Sequence, residues 1–464
     1  MADNISASAQ VLNDLKTFYV DKVDDVLLRE SPVLGILDKM RVEGKEFAFL
    51  VPYGASGAVS AKFLRAKNVA TNGETVGNAQ FVVKPGKVFS PYTMSADEVQ
   101  ASLTKRGAYL KVAGEKLYMS TRGLRRTMAV AFYGDGYGVI GNTGSVASIA
   151  SAGTTFTFTD HSAPAAVEVG QILRIKSTAS TADNAELADA VQVIAATDTT
   201  LTLKPVSGSD MASTGSKVIA LDGSVNSDGT PRLPVGLAGW LPLDRTNIAT
   251  SFYGVNRSIN PDRLAGVIVN DSALTYSTTN TYIKTIQKAF MRARNHGLSN
   301  DNALVIVNPF DFEVISDELE LRNRLVTPTA STGKKSATAG INKLAMAAST
   351  NFADRIYDDP HCPQGEFYIL DLDVVKIWSF TNAGMVDSGI SNNNPGKESV
   401  EANAGSDGYA NDPSKLIIDD YINVQPIEGN DDGPAVLVTL FFTGTYVVKA
   451  PGSCAHGKYP TISA

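Results

Sequence analysis

Two pairs of cysteine and histidine are the residues of this sequence best suited by type to bind a transition metal. They are His361-Cys362 and Cys454-x-His456, and together they would supply four nitrogen and sulfur ligands. Structural zinc sites usually separate paired ligands by about two to four residues, and this spacing is closer than that. We therefore predict no metal site and no cofactor, and two cysteines provide no disulfide framework.

Adjacent acids are a second group of residues that could do chemistry. Asp358-Asp359 and Asp419-Asp420 could bind a cation, but adjacent acids in turns are more commonly solvated. The sequence contains no nucleophile elbow, no phosphate-binding loop and no zinc signature. Gly134-Asp135-Gly136 follows a predicted helix, whereas the glycine-rich dinucleotide fingerprint follows a strand. We predict that the protein is not an enzyme.

A basic helix surface is the third candidate site. From Leu103 to Phe132 there are seven Lys or Arg residues and one acid, Glu115, although the net charge of the chain is −7. Such a surface on an acidic protein can meet a polyanion, and a solvated helix surface produces the same pattern, so both interpretations stay open. The cations on this side of the helix are Lys111, Arg122, Arg125 and Arg126.

One long helix, predicted from about Leu103 to Gly136, must position these cations. Its apolar residues recur at steps of three and four, which places them on one face. The segment Ser95-Ala96-Asp97-Glu98 has capping-box spacing, so we expect the helical region to begin near Ser95. The apolar face consists of Leu110, Ala113, Leu117, Thr121, Leu124, Met128 and Ala131.

The N-terminal segment is predicted to be an arm. A helix predicted from Ala9 to Leu28 carries an apolar face and is followed by the apolar segment Val33–Leu37. An arm this short cannot bury that face within itself, so we expect it to dock on something else.

A two-stranded hairpin is predicted from Phe47 to Tyr92, with a turn at Asn72-Gly73. Alternating residues in Gly57–Ala66 are interpreted as part of its first strand. Because an isolated hairpin is marginally stable in water, we expect a neighbour to support it.

Residues 150–225 form a region rich in Ser, Thr and Ala. Short alternating segments separated by turn residues predict a small antiparallel barrel or sandwich, inserted as a module of its own. The predicted strands are TTFTFT, VGQILRI, AVQVIAA, TTLTLKPV and SKVIAL.

The C-terminal half has a mixed pattern. The segment ending at Gly297 is an amphipathic helix with Ile283, Ile286 and Phe290 on one side. A buried strand, Ala303–Val307, precedes a helix that begins at Pro309. Two strands are then predicted around Asp359-Pro360 and Gly365, and two long strands near the C-terminus. The intervening polar segments are predicted loops.

Composition limits the class of protein. A hydrophobic content of 43% with 19% charged residues is typical of ordered globular proteins. We predict no secretory signal and, because no window approaches about 18 uninterrupted apolar residues, no membrane-spanning helix.

The order of these elements resembles the major capsid proteins of tailed bacteriophages, which have the Hong Kong 97-type fold. The matching features are the arm, the hairpin, the long helix ending in FYGDG, and the strand and helix in ALVIVNPFDFEVISDE. The segments RIYDDP to GEFYILDLDVVKIW and TGTYVVKAP resemble the late strands of that family. Together these features cover most of the chain outside residues 140–240.

This resemblance implies an α+β fold with an N-terminal arm, an extended β-hairpin loop, a long spine helix, a mixed axial domain and an inserted small β-barrel or sandwich. The implied divisions are 1–45 for the arm, 46–94 for the hairpin loop, 95–140 for the peripheral domain with the spine helix, 141–240 for the inserted domain, 241–414 for the axial domain, and 415–464 for strands that return to the peripheral domain.

The resemblance further implies a subunit that self-assembles, through pentamers and hexamers, into the icosahedral head shell of a tailed phage. The shell would enclose double-stranded DNA, which the basic residues would bind without sequence specificity. The implied partners are a portal, a separate scaffolding protein and decoration proteins, with no membrane. The implied location is the virion, after assembly in the host cytoplasm.

Two other classes compete with this interpretation. One is a β-rich phage tail or receptor-binding protein, in which residues 150–225 would recognise a glycan or a receptor. The other is a bacterial nanocompartment shell, which shares the capsid fold. Members of the nanocompartment class tend to be shorter and to lack a module like residues 150–225, which favours the capsid interpretation, whereas a cargo-binding groove would favour the nanocompartment.

Overall fold

The structure is a computed structural model of the 464-residue chain. It describes residues 32–43, 46–54, 60–71, 77–95, 112–145, 148–158, 161–176, 186–212, 216–225, 230–246, 248–249, 251–299, 302–323, 356–381, 422–427 and 435–462.

The helices are α1 (Pro32–Ile36), α2 (Phe63–Thr71), α3 (Val112–Tyr133), α4 (Ser162–Ala165), α5 (Leu237–Trp240), α6 (Pro261–Leu264), α7 (Tyr282–Arg294) and α8 (Pro309–Asn323). The strands are β1 (Asp38–Glu43), β2 (Phe47–Pro52), β3 (Asn78–Val83), β4 (Gly86–Ser95), β5 (Val139–Ser145), β6 (Ser148–Ile149), β7 (Thr154–Thr157), β8 (Ile172–Lys176), β9 (Glu186–Ala196), β10 (Thr200–Pro205), β11 (Met211–Ala212), β12 (Ser216–Leu221), β13 (Val267–Asn270), β14 (Ala303–Val307), β15 (Ile356–Asp358), β16 (Glu366–Asp371), β17 (Val375–Thr381), β18 (Ile422–Ile427), β19 (Ala435–Val448) and β20 (Ala455–Lys458).

The chain forms two compact units. The first contains the described residues within Met1–Ile36, Gly86–Val235 and Ala383–Gly444. The second contains those within Leu37–Pro85, Gly236–Asn382 and Thr445–Ala464.

In the first unit, helix α3 packs on strand β4. The hydroxyl of Ser90 on β4 donates to the backbone oxygen of Ser120 on α3 at 3.1 Å, and the Ser120 hydroxyl donates to the backbone oxygen of Ser90 at 2.8 Å. Strand β4 pairs antiparallel with Ala435–Gly444 of β19, which also pairs with β18. The predicted apolar face of α3 is confirmed where its burial is described, at Leu124, Met128 and Ala131.

Residues 139–221 of the first unit, which we call the β-rich region, contain a six-stranded antiparallel sheet. Its strand order is β5-β12-β8-β9-β10-β7. All five strands predicted from alternation are confirmed as β7, β8, β9, β10 and β12. The inward residues are apolar and fully buried, as the period of two requires, and they include Leu173, Val191, Leu201, Leu203 and Ile219. Closure into a barrel or a sandwich stays a prediction.

The second unit contains a five-stranded mixed sheet with the order β13-β20-β16-β14-β15. The β13–β20 and β14–β15 pairs are parallel, and the β16 pairs are antiparallel. Ile283, Ile286 and Phe290 on α7 and Ile315 on α8 share one core cluster with this sheet, so both helices cover the same side of it. The predicted helices and the buried strand at β14 are confirmed.

One segment of the predicted hairpin is helical instead. The residues of Gly57–Ala66 that the structure describes lead into helix α2, which runs from Phe63 to Thr71. The alternation there was short, whereas Leu, Arg, Ala and Lys at these positions are good helix formers. The predicted second strand is also divided, because β3 pairs with β2 whereas β4 pairs with β19.

Several predictions lie outside the described residues. They are the helix from Ala9 to Leu28, the turn at Asn72-Gly73, the helical start just after Ser95, the part of the long helix before Val112, and the two polar loops of the C-terminal half. Ser95 itself is the last residue of β4, and α3 is described over 22 residues.

A buried carboxyl group at the start of α8 makes the stability of the second unit depend on pH. Asp311 is 3% exposed and accepts a hydrogen bond of 2.7 Å from the Gly365 amide. Burial raises its pKa to about 7, although the Gly365 hydrogen bond acts in the opposite direction and the Glu366 charge adds to the rise.

The wild-type protein is expected to lose stability as the pH rises from about 4 to about 7, and we predict that the Asp311→Asn variant does not show this loss. The folded protein holds a proton on Asp311 that the unfolded chain releases, so the free energy of unfolding falls as pH rises through this window, by up to about 4 kcal/mol. Asn keeps an acceptor for Gly365. Urea unfolding at a series of pH values measures the difference, with Asp317→Asn on the exposed side of the helix as the control. Equal pH profiles for Asp311→Asn and the wild type would contradict the prediction.

Candidate functional site

The most exposed apolar side chains in the described part of the chain lie between the two strands of the hairpin. Phe63 is 78% exposed and Leu64 is 70% exposed, both in the first turn of α2. Lys62, Arg65 and Lys67 flank them, and residues 60–71 contain no acid. We call residues 60–71 the hairpin tip. Its combination of bare apolar surface and positive charge is typical of a surface that docks on another molecule.

Strands β2 and β3 hold the hairpin tip on a rigid base. They pair antiparallel from Phe47 opposite Val83 to Pro52 opposite Asn78. The amides of Tyr53 and Gly54 both donate to the Gly77 carbonyl, at 2.9 and 3.1 Å.

The base of the hairpin is covered by the second unit itself. Phe49 stacks on Phe81 with ring centroids 5.6 Å apart. Phe81 lies 5.5 Å from the Trp240 ring, and Phe47 meets the Trp378 ring edge-on at 4.2 Å. The aromatic side chains at the base therefore pack within the second unit, whereas Leu50 of β2 and the apolar residues of the hairpin tip are exposed.

The predicted basic surface is partly neutralised within the first unit. Arg126 donates to Glu168 at 2.7 Å and to the backbone oxygen of Ala165 in α4. Arg122 pairs with the same carboxylate at 3.2 Å. Arg125 is half-buried, and Lys111 lies outside the described residues. The structure thus brings Arg122 and Arg126 together around one acid of the β-rich region, Glu168.

We predict that Arg126→Met loosens the attachment of α4 to α3. The Arg126 side chain is 15% exposed, whereas Glu168 is 37% exposed. Solvent screening therefore limits the expected loss in the free energy of unfolding to about 1–2 kcal/mol. Urea unfolding of the full-length protein measures it, with Lys204→Met on exposed β10 as the control. If the urea midpoint of Arg126→Met equals that of Lys204→Met, the ion pair contributes nothing to the stability of the folded protein.

The cysteine and histidine pairs form structural contacts. Cys362 and Cys454 are free thiols and fully buried; burial raises the pKa of Cys362 well above its ordinary value and that of Cys454 to about 12. The Nδ1 atom of His456 lies 2.7 Å from the Leu241 carbonyl oxygen, and Nε2 lies 3.2 Å from Glu366. No cluster of three or more potential metal ligands occurs within the described ranges.

The paired acids and an open groove of the second unit show no acid–base constellation. Asp359 is buried and accepts the His361 amide at 2.9 Å, whereas Asp419 and Asp420 lie outside the described residues. A groove of about 440 Å³ runs along β3 and the segment 254–264, and its polar lining consists of Tyr53, Asn78, Gln80 and Asn256. Such a lining can form hydrogen bonds to a polar ligand.

No described helix combines the length and the hydropathy that a membrane span requires.

Sequence reasoning expected a neighbour to support the hairpin but did not identify helix α2 within it. If residues 57–71 had been tested for the helical period of 3.6 residues as well as for the strand period of two, Phe63 and Leu64 would have been placed in a helix made of good helix formers. Their exposure had no sequence signal, because the same residues in a helix are usually buried.

The fold is shared with a solved capsid chain. A chain of the cyanophage A-1(L) capsid asymmetric unit is 14% identical, has a TM-score of 0.54, and matches over 96% of this chain and 97% of its own length. A mycobacteriophage Adephagia chain is 9% identical with a TM-score of 0.41, over 99% of each chain. A chain of an encapsulin complex from Synechococcus elongatus is 8% identical with a TM-score of 0.42, over 99% of each chain. Only the first of these likenesses supports an argument about the fold.

No protein-family model matches the sequence, and no curated protein sequence matches it.

Proposed function

We propose that this chain is a major capsid protein, the repeating subunit of the icosahedral head shell of a tailed phage. The observation that carries the proposal is the fold it shares with the cyanophage capsid chain, which extends over 96% of one chain and 97% of the other. The exposed hairpin tip supports it, since a subunit of a shell must present surfaces that only neighbouring copies cover.

The proposed mechanism is mutual overlap between copies. The hairpin tip docks on an adjacent subunit and buries Phe63 and Leu64 there. Each contact is modest, because burying one such side chain contributes roughly 1.5–3 kcal/mol. The shell becomes stable because every subunit repeats the contact.

The assignment of segments of the chain to the domains of a capsid subunit is also a proposal. Helix α3 acts as the spine of the peripheral domain (95–140), residues 141–240 are an insertion, and 241–414 form the axial domain around the pentamers and hexamers. The segments 1–45, 46–94 and 415–464 are the arm, the hairpin loop and the returning strands. The proposed partners are a portal, a separate scaffolding protein and decoration proteins, in a virion assembled in the host cytoplasm.

Double-stranded DNA is the proposed content of the shell, bound without sequence readout. The predicted basic residues Lys111, Arg122, Arg125 and Arg126 are assigned to this role. For Arg122 and Arg126, which share Glu168, contact with phosphate would compete with that pairing.

Electron microscopy of negatively stained particles tests the proposal. The full-length protein is expressed alone and with its neighbouring genes, and the products are separated by size-exclusion chromatography. Closed polyhedral shells are expected. Shells from the co-expression with neighbouring genes should contain DNA that is protected from nuclease. Shells of an Arg125→Glu variant should contain less protected DNA. A stable monomer or trimer under every condition would contradict the proposal and favour a tail or receptor-binding protein.

A further inference from the structure

The outer surfaces of helices α7 and α8 in the second unit carry opposite charges. On α7 the exposed side chains are Lys284, Lys288, Met291, Arg292 and Arg294. On α8, among the side chains whose burial is described, they are Phe310, Glu313 and Asp317. We call these two sets the α7 surface and the α8 surface.

The α7 surface is basic along its whole length. Tyr282–Arg294 contains four cations and no acid. Some of this charge has partners within the unit: Lys288 pairs with Asp271 at 2.7 Å while its side chain stays 45% exposed, and Lys284 donates to the Thr279 carbonyl at 3.0 Å. Among the acids that the structure describes, Asp271 is the one that pairs with these cations, so within the described residues the surface keeps an excess of positive charge.

The α8 surface is acidic because its acids divide between two sides of the helix. Asp311 and Glu318 point inward, and both carboxylate oxygens of Glu318 accept the first amides of α7, from Tyr282 at 2.8 Å and Ile283 at 3.1 Å. Glu313 and Asp317 are exposed on the outer side. They are four residues apart and therefore neighbours on the helix surface.

Each surface also has one apolar residue suited to packing. Met291 is 46% exposed on α7, and Phe310 is 41% exposed on α8. An interface typically combines such an apolar contact with charges of opposite sign around it. The flexible thioether of Met can adapt to an aromatic ring.

We propose that the α7 surface of one copy docks on the α8 surface of the next copy. The occupant is a second copy because the two surfaces are complementary in charge and both belong to the same chain. When each copy presents its α7 surface to one neighbour and its α8 surface to another, the interface is heterologous, and a heterologous interface whose rotation closes builds a ring. The inference rests on the proposed function, for which it names the contact that builds each ring of subunits.

Crosslinking between isotopically distinct copies tests the contact directly. Full-length protein with natural isotopes is mixed with ¹⁵N-labelled protein, allowed to associate, and treated with a carbodiimide that joins lysine to carboxylate without a spacer. The expected product in the mass spectra is a mixed-isotope pair joining Lys284 or Lys288 to Glu313 or Asp317. Absence of this pair overturns the inference, whether or not shells form.

Charge reversal provides the second arm. Lys284→Glu with Arg294→Glu, and separately Glu313→Lys with Asp317→Lys, should each lower the yield of assembled particles at least about tenfold, because like charges then face each other. The chain carrying all four substitutions should assemble again. Lys204→Glu with Arg263→Glu is the control, since it changes net charge equally on exposed residues elsewhere.

The outcomes separate this inference from the proposed function. If each reversed chain assembles as well as the control, the α7 and α8 surfaces do not form the contact, while wild-type shells still support a capsid role. If the wild-type chain never associates and gives no mixed-isotope pair, both proposals fail. Circular dichroism of every variant verifies that the fold is intact.

Discussion

Replacing Phe63 and Leu64 by serine is expected to abolish shell assembly and to leave the folded subunit unchanged. These side chains are 78% and 70% exposed, so their removal takes almost no packing from the subunit itself. If the hairpin tip docks on a neighbour, the double variant loses roughly 3–6 kcal/mol of apolar burial for each subunit. A shell built from weak repeated contacts cannot form after that loss.

Size-exclusion chromatography with light scattering and electron microscopy measure the effect on assembly, and thermal unfolding verifies the fold. Val169→Ser is the matched control. Val169 is also apolar and 63% exposed, but it lies in the β-rich region of the first unit and not in the hairpin tip. Shells of Phe63→Ser/Leu64→Ser at normal yield would show that the hairpin tip does not hold subunits together. Loss of assembly in both variants would point to a general effect of exposed serine.

Gly86→Val is expected to prevent the first unit from folding. A Cβ atom at Gly86 would lie 2.2 Å from the nitrogen of Pro234 and 2.3 Å from the carbonyl carbon of Leu233. Both are backbone atoms and cannot rotate away. The adjoining residue fixes the same approach, since the Lys87 amide donates to the Arg232 carbonyl at 2.9 Å. We expect a loss of at least about 3 kcal/mol in the free energy of unfolding, seen as insoluble protein.

Gly123→Ala is the control for this prediction, because Gly123 lies in α3 and no atom lies within 4 Å of the added Cβ. Alanine there should stabilise the helix by up to about 1 kcal/mol. Soluble yield and urea midpoints compare the two variants, together with the smaller change Gly86→Ala. A wild-type midpoint for Gly86→Ala would contradict the proposed backbone clash.

The spacing of apolar residues predicted helices and strands correctly in segments where either the strand period of two or the helical period of 3.6 was clear. The alternation in TTLTLKPV identified β10, and its apolar residues Leu201 and Leu203 are fully buried. The steps of three and four in α7 identified Ile283, Ile286 and Phe290 as its buried side. These patterns are reliable because burial on one side of an element needs only the geometry of that element.

Helix α2 shows where the local signal was insufficient. Its sequence fits a short alternation and a short helix equally well, so period alone could not decide between them. The structure also leaves Phe63 and Leu64 in solvent, a location that hydrophobicity argues against.

Sequence by itself thus determined most helices and strands and their order, including the strands between residues 150 and 225, because each such element rests on contacts between residues near one another in the chain. Only the tertiary structure decided the partners of charged and aromatic side chains. Glu168 lies 42 positions from Arg126, and Trp240 reaches Phe81 and the Tyr446 carbonyl from distant segments. No local period encodes such pairs, because folding brings these residues together only when the sheets and helices pack.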